Sequence, residues 1–160
     1  TFSKAMGMAS LRVGYLLANS AIAAQISKAK LPYNVNQFSL TAAEVALENA
    51  ARFRPAIEQV LKERDRLGRE LGVVQGIKVY PTEANFFLVE VAAEPHAIFE
   101  DLYRQGILIR DVSSYPMLSK CLRISVGTRA ENDRLLSALR ASLAKRIQCM
   151  PGAEEAGESK

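Results

Sequence analysis

Lys4 lies in a stretch of small and hydroxyl side chains, Thr1-Phe2-Ser3-Lys4-Ala5-Met6-Gly7-Met8-Ala9-Ser10. A lysine amine can condense with an aldehyde only when it is unprotonated, whereas in neutral water it carries a proton. A site that uses Lys4 in this way must favour the neutral amine by desolvation or by a nearby cation. Arg12, eight positions farther along, is a candidate for that cation.

The same stretch offers groups that bind phosphate. The guanidinium of Arg12 presents a rigid fork of donors that matches a phosphate bidentately. The hydroxyls of Thr1 and Ser3 can complete such a site, and the small residues around Lys4 let the backbone approach a ligand closely. Lys4 can bind an aldehyde, and the residues near it in sequence can bind a phosphate. Together they predict a site for a phosphorylated aldehyde, which would be pyridoxal phosphate.

Two further arginines stand in apolar stretches that are predicted to be strands. Arg123 lies between Leu122 and Ile124, where a charged side chain is costly unless it has a partner. A substrate anion would be such a partner. Arg110, at the end of another apolar strand, is predicted to hold a second anion, and the alternative is a salt bridge to Asp111 or another acid.

These motifs resemble those of the pyridoxal-phosphate aminotransferase family, in particular its histidinol-phosphate aminotransferase branch. The stretch around Lys4 is similar to the lysine signature, and Leu11-Arg12-Val13-Gly14-Tyr15 is similar to the phosphate-binding segment, with Ser10 where the family usually has glycine. Four more blocks are similar to successive blocks of the branch, in the same order: Leu31-Pro32-Tyr33-Asn34-Val35-Asn36, Ala84-Asn85-Phe86, Ile107-Leu108-Ile109-Arg110-Asp111 and Leu122-Arg123-Ile124-Ser125-Val126-Gly127-Thr128.

The resemblance implies a role for each site residue. Lys4 would attach the cofactor, pyridoxal 5'-phosphate, and transfer a proton in catalysis. Arg12, Ser3 and Thr1 would bind the cofactor phosphate, and Arg123 would bind the anionic end of the substrate. Whether Asn85 and Tyr115 line the site or only support the fold is left open.

The implied function is transfer of an amino group from histidinol phosphate to 2-oxoglutarate, giving imidazole acetol phosphate and glutamate in histidine biosynthesis. Arg123 and Arg110 suit this cycle, because guanidinium groups recognise both carboxylates and a phosphate ester. In the family the lysine lies past the middle of a longer chain. We therefore expect the C-terminal portion of an enzyme, inactive by itself and homodimeric at full length.

Other functions remain open. A threonine-phosphate decarboxylase of the same fold would share Lys4, Arg12 and Arg123, and aromatic or aspartate aminotransferases are further possibilities. A different class is a non-catalytic module in residues 76–148 that binds RNA or a regulatory ligand. The strands lack the run of exposed aromatic residues that stacks bases, which disfavours this module.

Composition narrows the classes of partner. The formal charge is +4, but basic residues alternate with acids, as in Lys62-Glu63-Arg64-Asp65-Arg66, which predicts a solvated helix face and no nucleic-acid partner. No apolar segment is long enough to span a bilayer and no secretory signal is recognised, so we expect a cytoplasmic protein. Cys121 and Cys149 lack metal-ligand spacing and are predicted to be free thiols, and no metal site is expected.

The first half of the chain is predicted to be mainly helical. Residues 11–18 form an apolar run that predicts a buried strand. Asn19 offers a cap for a helix over residues 21–30, and an apolar helix over residues 38–49 is predicted to be buried. A long amphipathic helix should cover residues 55–71, with Glu58–Lys62 and Asp65–Arg69 as exposed pairs.

From Gly76 the pattern changes to strands and helices. Strands are predicted over residues 77–80, 84–91, 107–110 and 122–126. Helices are predicted over residues 95–105, ended by Gly106, and from a capping box at Thr128 and Glu131 to about residue 147. The predicted fold class is α/β, with the end of a large cofactor-binding domain (1–50), a small C-terminal α+β sandwich domain (51–148) and a disordered tail (149–160).

Overall fold

A computed structural model describes residues 1–148. Their contacts group into two units, Thr1–Glu58 and the part that starts at Gln59, which we call the lysine unit and the sheet unit. The predicted domain boundary at residue 50 stays a prediction, and the predicted disordered tail and Cys149 lie outside the described residues. No helix in the described part of the chain is long and apolar enough to cross a membrane.

The lysine unit contains two complete helices, α1 (Ser20–Lys28) and α2 (Gln37–Glu48), and the first turn of α3 (Arg54–Gly72). The Asn19 side chain accepts a hydrogen bond from Ala21 N at 2.9 Å, which caps α1 as predicted. Asn36 caps α2 in the same way through Ser39 N, at 2.9 Å. Each cap satisfies one of the backbone donors that the first turn of a helix leaves unpaired.

Two predictions for the lysine unit are wrong. Residues 11–18 do not form a buried strand, and Leu17 is 86% exposed. Strand-forming residues give a strand only where another strand pairs with their backbone. Residues 1–58 contain no strand that could do so. Helix α2 is not buried all round either, because only Ser39, Ala43 and Ala46 are covered.

The sheet unit contains a four-stranded antiparallel sheet in the order β1-β2-β4-β3. The strands are β1 (Ile77–Val79), β2 (Phe86–Val91), β3 (Arg110–Asp111) and β4 (Cys121–Ser125), and the helices beyond α3 are α4 (Pro95–Arg104) and α5 (Arg129–Ile147). This mixture of helix and antiparallel sheet confirms the predicted fold class.

Strand β3 is shorter than predicted. Ile107 donates its N–H to Leu102 O at 3.0 Å, and Gly106 has a φ of 72°, so both residues serve to end α4. The strand therefore begins only at Arg110.

One face of the sheet packs on the helices. Alternate residues of β2 are buried, and they share a core with residues of α3, α4 and α5, as the two-residue period of a strand requires. Among the buried core residues are Leu67, Leu71, Phe87, Val89, Val91, Ile98, Leu102, Leu122, Ile124, Leu135, Leu139 and Leu143. The side chains between them, including Arg123 in β4, lie on the opposite face.

The start of α5 is held to α3 by a buried polar network. The capping box forms as predicted, with Thr128 N donating to Glu131 at 2.7 Å. Asn132 Nδ2 donates to Glu63 Oε2 at 2.9 Å, and Arg66 Nη2 donates to the same oxygen at 2.8 Å. The prediction that Glu63 is solvated is wrong, since these donors satisfy a carboxylate that is only 6% exposed.

Candidate functional site

The segment Thr1–Val13, which we call the lysine loop, is fixed at both ends. Phe2 and Val13 are buried with Ala43 and Ala46 of α2. Phe2 N donates to Val13 O at 3.4 Å, and Met8 N donates to Phe2 O at 3.1 Å. The loop therefore folds back on itself, with Lys4 on the part between the two buried ends.

Three of the predicted phosphate ligands belong to neighbouring parts of this loop. Thr1 Oγ1 donates to Ser3 Oγ at 2.9 Å, and Ser3 N donates to Thr1 Oγ1 at 3.2 Å. Gly14, two residues after Arg12, contacts Thr1, since a Cβ on Gly14 would lie 3.5 Å from Thr1 Cα. The two hydroxyls and the Arg12–Gly14 backbone are thus adjacent.

The two basic residues of the lysine loop are exposed. The carbonyl of Lys4 accepts a hydrogen bond from Gly7 N at 3.0 Å, and Gly7 has a φ of 65°. Arg12 lies in the left-handed region with a φ of 52°, and its Nη1 donates to Ala9 O at 3.0 Å. Within the described residues neither side chain forms a salt bridge. Both remain available to an anionic or electrophilic ligand.

In the sheet unit, Arg110 and Arg123 lie directly opposite each other on β3 and β4. Residues in such a pair have Cβ atoms about 4.5–5.5 Å apart, and like charges there are unfavourable. The Arg123 guanidinium lies over the ring of Phe86 at 5.3 Å, and its Nε is buried without a hydrogen-bond partner in the described structure. The arrangement favours binding of an anion between the two arginines.

The salt bridge between Arg110 and Asp111, which was the alternative prediction for Arg110, does not form. Asp111 Oδ2 instead lies 3.3 Å from His96 Nδ1, and its Oδ1 accepts a hydrogen bond from Ser113 N at 2.9 Å. The contacts with Ser113 and His96 lower the pKa of Asp111 although burial opposes them. The Asp111 carboxylate therefore contacts His96 and Ser113 and does not pair with Arg110.

Arg110 and Arg123 line a surface cleft of about 490 Å³, which Ser125, Phe99 and Leu108 also line. This volume is in the range of small-molecule sites. Of the two residues whose roles were left open, Asn85 and Tyr115, neither lines this cleft, and both are exposed. Among the described residues no cluster of metal ligands occurs.

A polar cluster that was not predicted from the sequence surrounds Glu90, on the sheet face that also carries Arg123. Tyr80 Oη donates to Glu90 Oε2 at 2.7 Å, and Lys78 Nζ lies 3.5 Å from the same oxygen. The hydrogen bond from Tyr80, followed by the charge of Lys78, lowers the pKa of Glu90. The cluster could have been predicted in part from the sequence, because Lys78 and Glu90 both stand at outward-facing positions of their strands.

Several known proteins are similar to this chain. Histidinol-phosphate aminotransferase of Aquifex aeolicus (strain VF5) is 40% identical over 144 residues, which cover 89% of this chain and 40% of the relative. The crystal structure of L-threonine-O-3-phosphate decarboxylase from Porphyromonas gingivalis matches with a TM-score of 0.81 and 26% identity, covering 90% of this chain and 45% of that one.

A third match is the crystal structure of histidinol-phosphate aminotransferase from Sinorhizobium meliloti in complex with pyridoxal-5'-phosphate. It has a TM-score of 0.76 and 30% identity, and the match covers 91% of this chain and 40% of that one. The chain spans about two fifths of the length of the curated relatives it matches. The model of the family "Aminotransferase class I and II" matches residues 1–139, and the chain accordingly belongs to the class I and II aminotransferases.

Proposed function

We propose that these residues act as the C-terminal portion of a histidinol-phosphate aminotransferase, which transfers the amino group of histidinol phosphate to 2-oxoglutarate. The observation that carries the proposal is the pair of opposed arginines, Arg110 and Arg123, with a buried guanidinium nitrogen that lacks a partner among the described residues. Such a pair suits substrates that bring a phosphate ester in one half-reaction and carboxylates in the other. The names of the relatives support the same substrate class.

The lysine loop fits pyridoxal 5'-phosphate. Lys4 offers an exposed amine for covalent attachment, and Thr1 and Ser3 offer adjacent hydroxyls for the phosphate. Arg12 adds guanidinium donors beyond the Nη1 that is bonded to Ala9 O. When bound, this cofactor supplies an electron sink for the substrate carbon that carries the amino group.

Lys4 also has the chemistry of a general base. With the cofactor and the amino donor bound, a free Lys4 amine would be placed to take the proton from the donor carbon that carries the amino group. Positioning of the amine on a loop that is fixed at Phe2 and Val13 reduces the entropy lost when the reacting atoms are brought together.

Arg123 is proposed to orient the substrate through its anionic end. Its guanidinium is already positioned over Phe86, so little side-chain freedom is lost on binding. Arg110, more exposed and opposite to it, adds a second pair of donors for a phosphate monoester or for the second carboxylate of a 2-oxo acid.

The test is an assay of glutamate formation by the purified full-length protein, with 2-oxoglutarate and one of several amino donors. We expect kcat/KM to be highest for histidinol phosphate, above phenylalanine and aspartate. A higher value for phenylalanine or aspartate would contradict the assigned substrate, although not the amino-transfer chemistry.

A phosphothreonine decarboxylase is the second candidate. The structural match to the Porphyromonas gingivalis enzyme favours it, because the name of that protein gives a phosphate ester as its substrate. Arg110 and Arg123 are proposed to bind such an ester. Release of CO₂ from threonine O-phosphate, without glutamate formation from histidinol phosphate, would establish this function in place of the first.

We also propose that the full-length protein is a cytoplasmic homodimer. The resemblance supports a dimer. Small phosphorylated metabolites as substrates agree with a cytoplasmic location. Light scattering of the purified protein and fractionation of cells would test the two statements.

A further inference from the structure

The face of the sheet opposite the helices carries two rows of charged side chains. Lys78 of β1 lies opposite Glu90 of β2. Arg123 of β4 lies opposite Arg110 of β3. The first row contains a carboxylate and the second contains only cations, so an ion pair between the rows is electrostatically favourable.

Glu90 is close enough in register to reach Arg123. It lies opposite Cys121, which is two residues from Arg123 on the same face of β4. Diagonal neighbours of this kind are about 7–8 Å apart at the backbone, within reach of two long side chains. A glutamate and an arginine at this separation would ordinarily form a charge-assisted hydrogen bond.

The structure shows a different pairing. Glu90 Oε2 accepts a hydrogen bond from Tyr80 Oη at 2.7 Å and lies 3.5 Å from Lys78 Nζ. Lys78 itself lies over the ring of Tyr80 at 5.0 Å, so the three side chains form one cluster. Arg123, in contrast, has no salt bridge to any of the described residues, and its Nε has no hydrogen bond there.

We propose that Tyr80 and Lys78 are positioning residues for the anion site: they hold Glu90 away from Arg123 and thereby keep the Arg123 guanidinium available for the substrate. This inference rests on the proposed role of Arg123 in substrate binding. It assigns a role in substrate affinity to Tyr80, which has no direct contact with the substrate in this account.

The test is a cycle of variants in the full-length protein with its cofactor bound. The dissociation constant of inorganic phosphate is measured by titration calorimetry for wild type, Tyr80→Phe, Glu90→Gln and the double variant. Tyr80→Phe removes only the hydroxyl that holds Glu90, and we expect it to raise the dissociation constant roughly fivefold, as one new ion pair to Arg123 would. The double variant should bind phosphate within about twofold of Glu90→Gln, because no carboxylate then competes.

Controls separate this inference from the proposed function. Tyr103→Phe, a hydroxyl deletion on α4, should leave phosphate affinity unchanged. Arg123→Gln should weaken phosphate binding strongly, and an unchanged affinity in that variant would overturn both the substrate role of Arg123 and the present inference. If Arg123→Gln weakens binding but the double variant stays as weak as Tyr80→Phe, only the role of Tyr80 and Lys78 is overturned.

Discussion

The lysine unit and the sheet unit hold their candidate site residues by different means. Lys4 and Arg12 lie on a loop whose buried support consists of Phe2, Val13 and two alanines of α2. Arg123 lies on β4, and the opposite face of the sheet packs on a core that includes Leu122 and Ile124 together with residues of α3, α4 and α5. The first arrangement depends on a few backbone hydrogen bonds, and the second depends on extensive apolar burial.

Substitutions in the two units should therefore affect different properties, either the chemistry of the site or the stability of the fold. We expect changes at Lys4 and Arg12 to affect the proposed chemistry with little effect on stability, because both side chains are exposed. A change in the core of the sheet unit alters stability, because each fully buried side chain contributes about 1.5–3 kcal/mol through removal of apolar surface from water. The outward face of the sheet combines both features, since the arginines that are proposed to bind ligands lie on a sheet supported by this core.

The largest expected effect is that of Lys4→Ala on turnover. Loss of a general base alone reduces turnover about 10²–10⁴-fold, and loss of the covalent attachment adds to this, so activity of the full-length protein should fall below detection. Lys28→Ala is the matched control, because Lys28 is an exposed lysine of α1 whose amine donates a hydrogen bond to the Gln25 side chain. Normal activity of Lys4→Ala, measured as glutamate formation, would refute the assignment.

The second prediction compares the cores of the two units. Leu139→Ala removes a fully buried side chain and should lower the free energy of unfolding by about 2–5 kcal/mol. Leu17→Ala, in the lysine unit, removes a side chain that is 86% exposed and should change it by about 0.5 kcal/mol or less. Urea unfolding of the 160-residue chain measures both. Equal losses would show that the lysine unit has a core that the described contacts do not account for.

The third prediction concerns the two arginines. Arg123→Gln should lower kcat/KM for histidinol phosphate about 100-fold, since Arg123, whose Nε is buried, is proposed as the principal anion ligand. Arg110→Gln should lower it only about tenfold, because Arg110 is exposed and its charge is screened. Arg69→Gln, an exposed arginine of α3, is the control and should have no effect. The reverse order for Arg110 and Arg123 would assign the main anion contact to β3.

The smallest effect is a pH dependence of stability in the sheet unit. Hydrogen bonds from Arg66 and Asn132 lower the pKa of Glu63 in the folded state. A lowered folded pKa means that this carboxylate stabilises the fold above its ordinary pKa of about 4.3 and loses that contribution as the pH falls through the lowered value. We therefore expect Glu63→Gln to be less stable than wild type at neutral pH, with a difference that shrinks in acid. Urea midpoints measured from pH 7 down to pH 3 would show it, and a difference that grows in acid would contradict it.

Signals within one helical turn were predicted reliably from the sequence. Asn19 and the pair Thr128 and Glu131 each cap a helix as expected, because the cap and the donor it satisfies are two or three residues apart. The strand predicted over residues 84–91 is found at Phe86–Val91, with Phe87, Val89 and Val91 on its buried face.

Features that depend on a distant partner were not predictable. Residues 11–18 have strand-forming side chains, but no strand of the lysine unit pairs with them. Arg66 bonds Glu63 and Asp133, and neither of the expected pairs of α3, Glu58–Lys62 and Asp65–Arg69, is among the salt bridges of the described residues.

For the candidate site, the residues were predicted from the sequence, whereas their contacts with one another were seen only in the structure. The arginines were predicted to be anion ligands from their apolar surroundings, and that role stays a prediction. Strand register is set by side chains far apart in the chain, so the direct opposition of the two arginines was not foreseeable. The contact of Tyr80 with Glu90, ten residues later, was missed for the same reason.

Covalent attachment of the cofactor at Lys4 can be measured by mass spectrometry. The full-length protein is reduced with borohydride in the presence of pyridoxal 5'-phosphate, digested and sequenced. We expect the added mass of the reduced cofactor on the peptide that contains Lys4. Its presence on another lysine, or on none, would contradict the account.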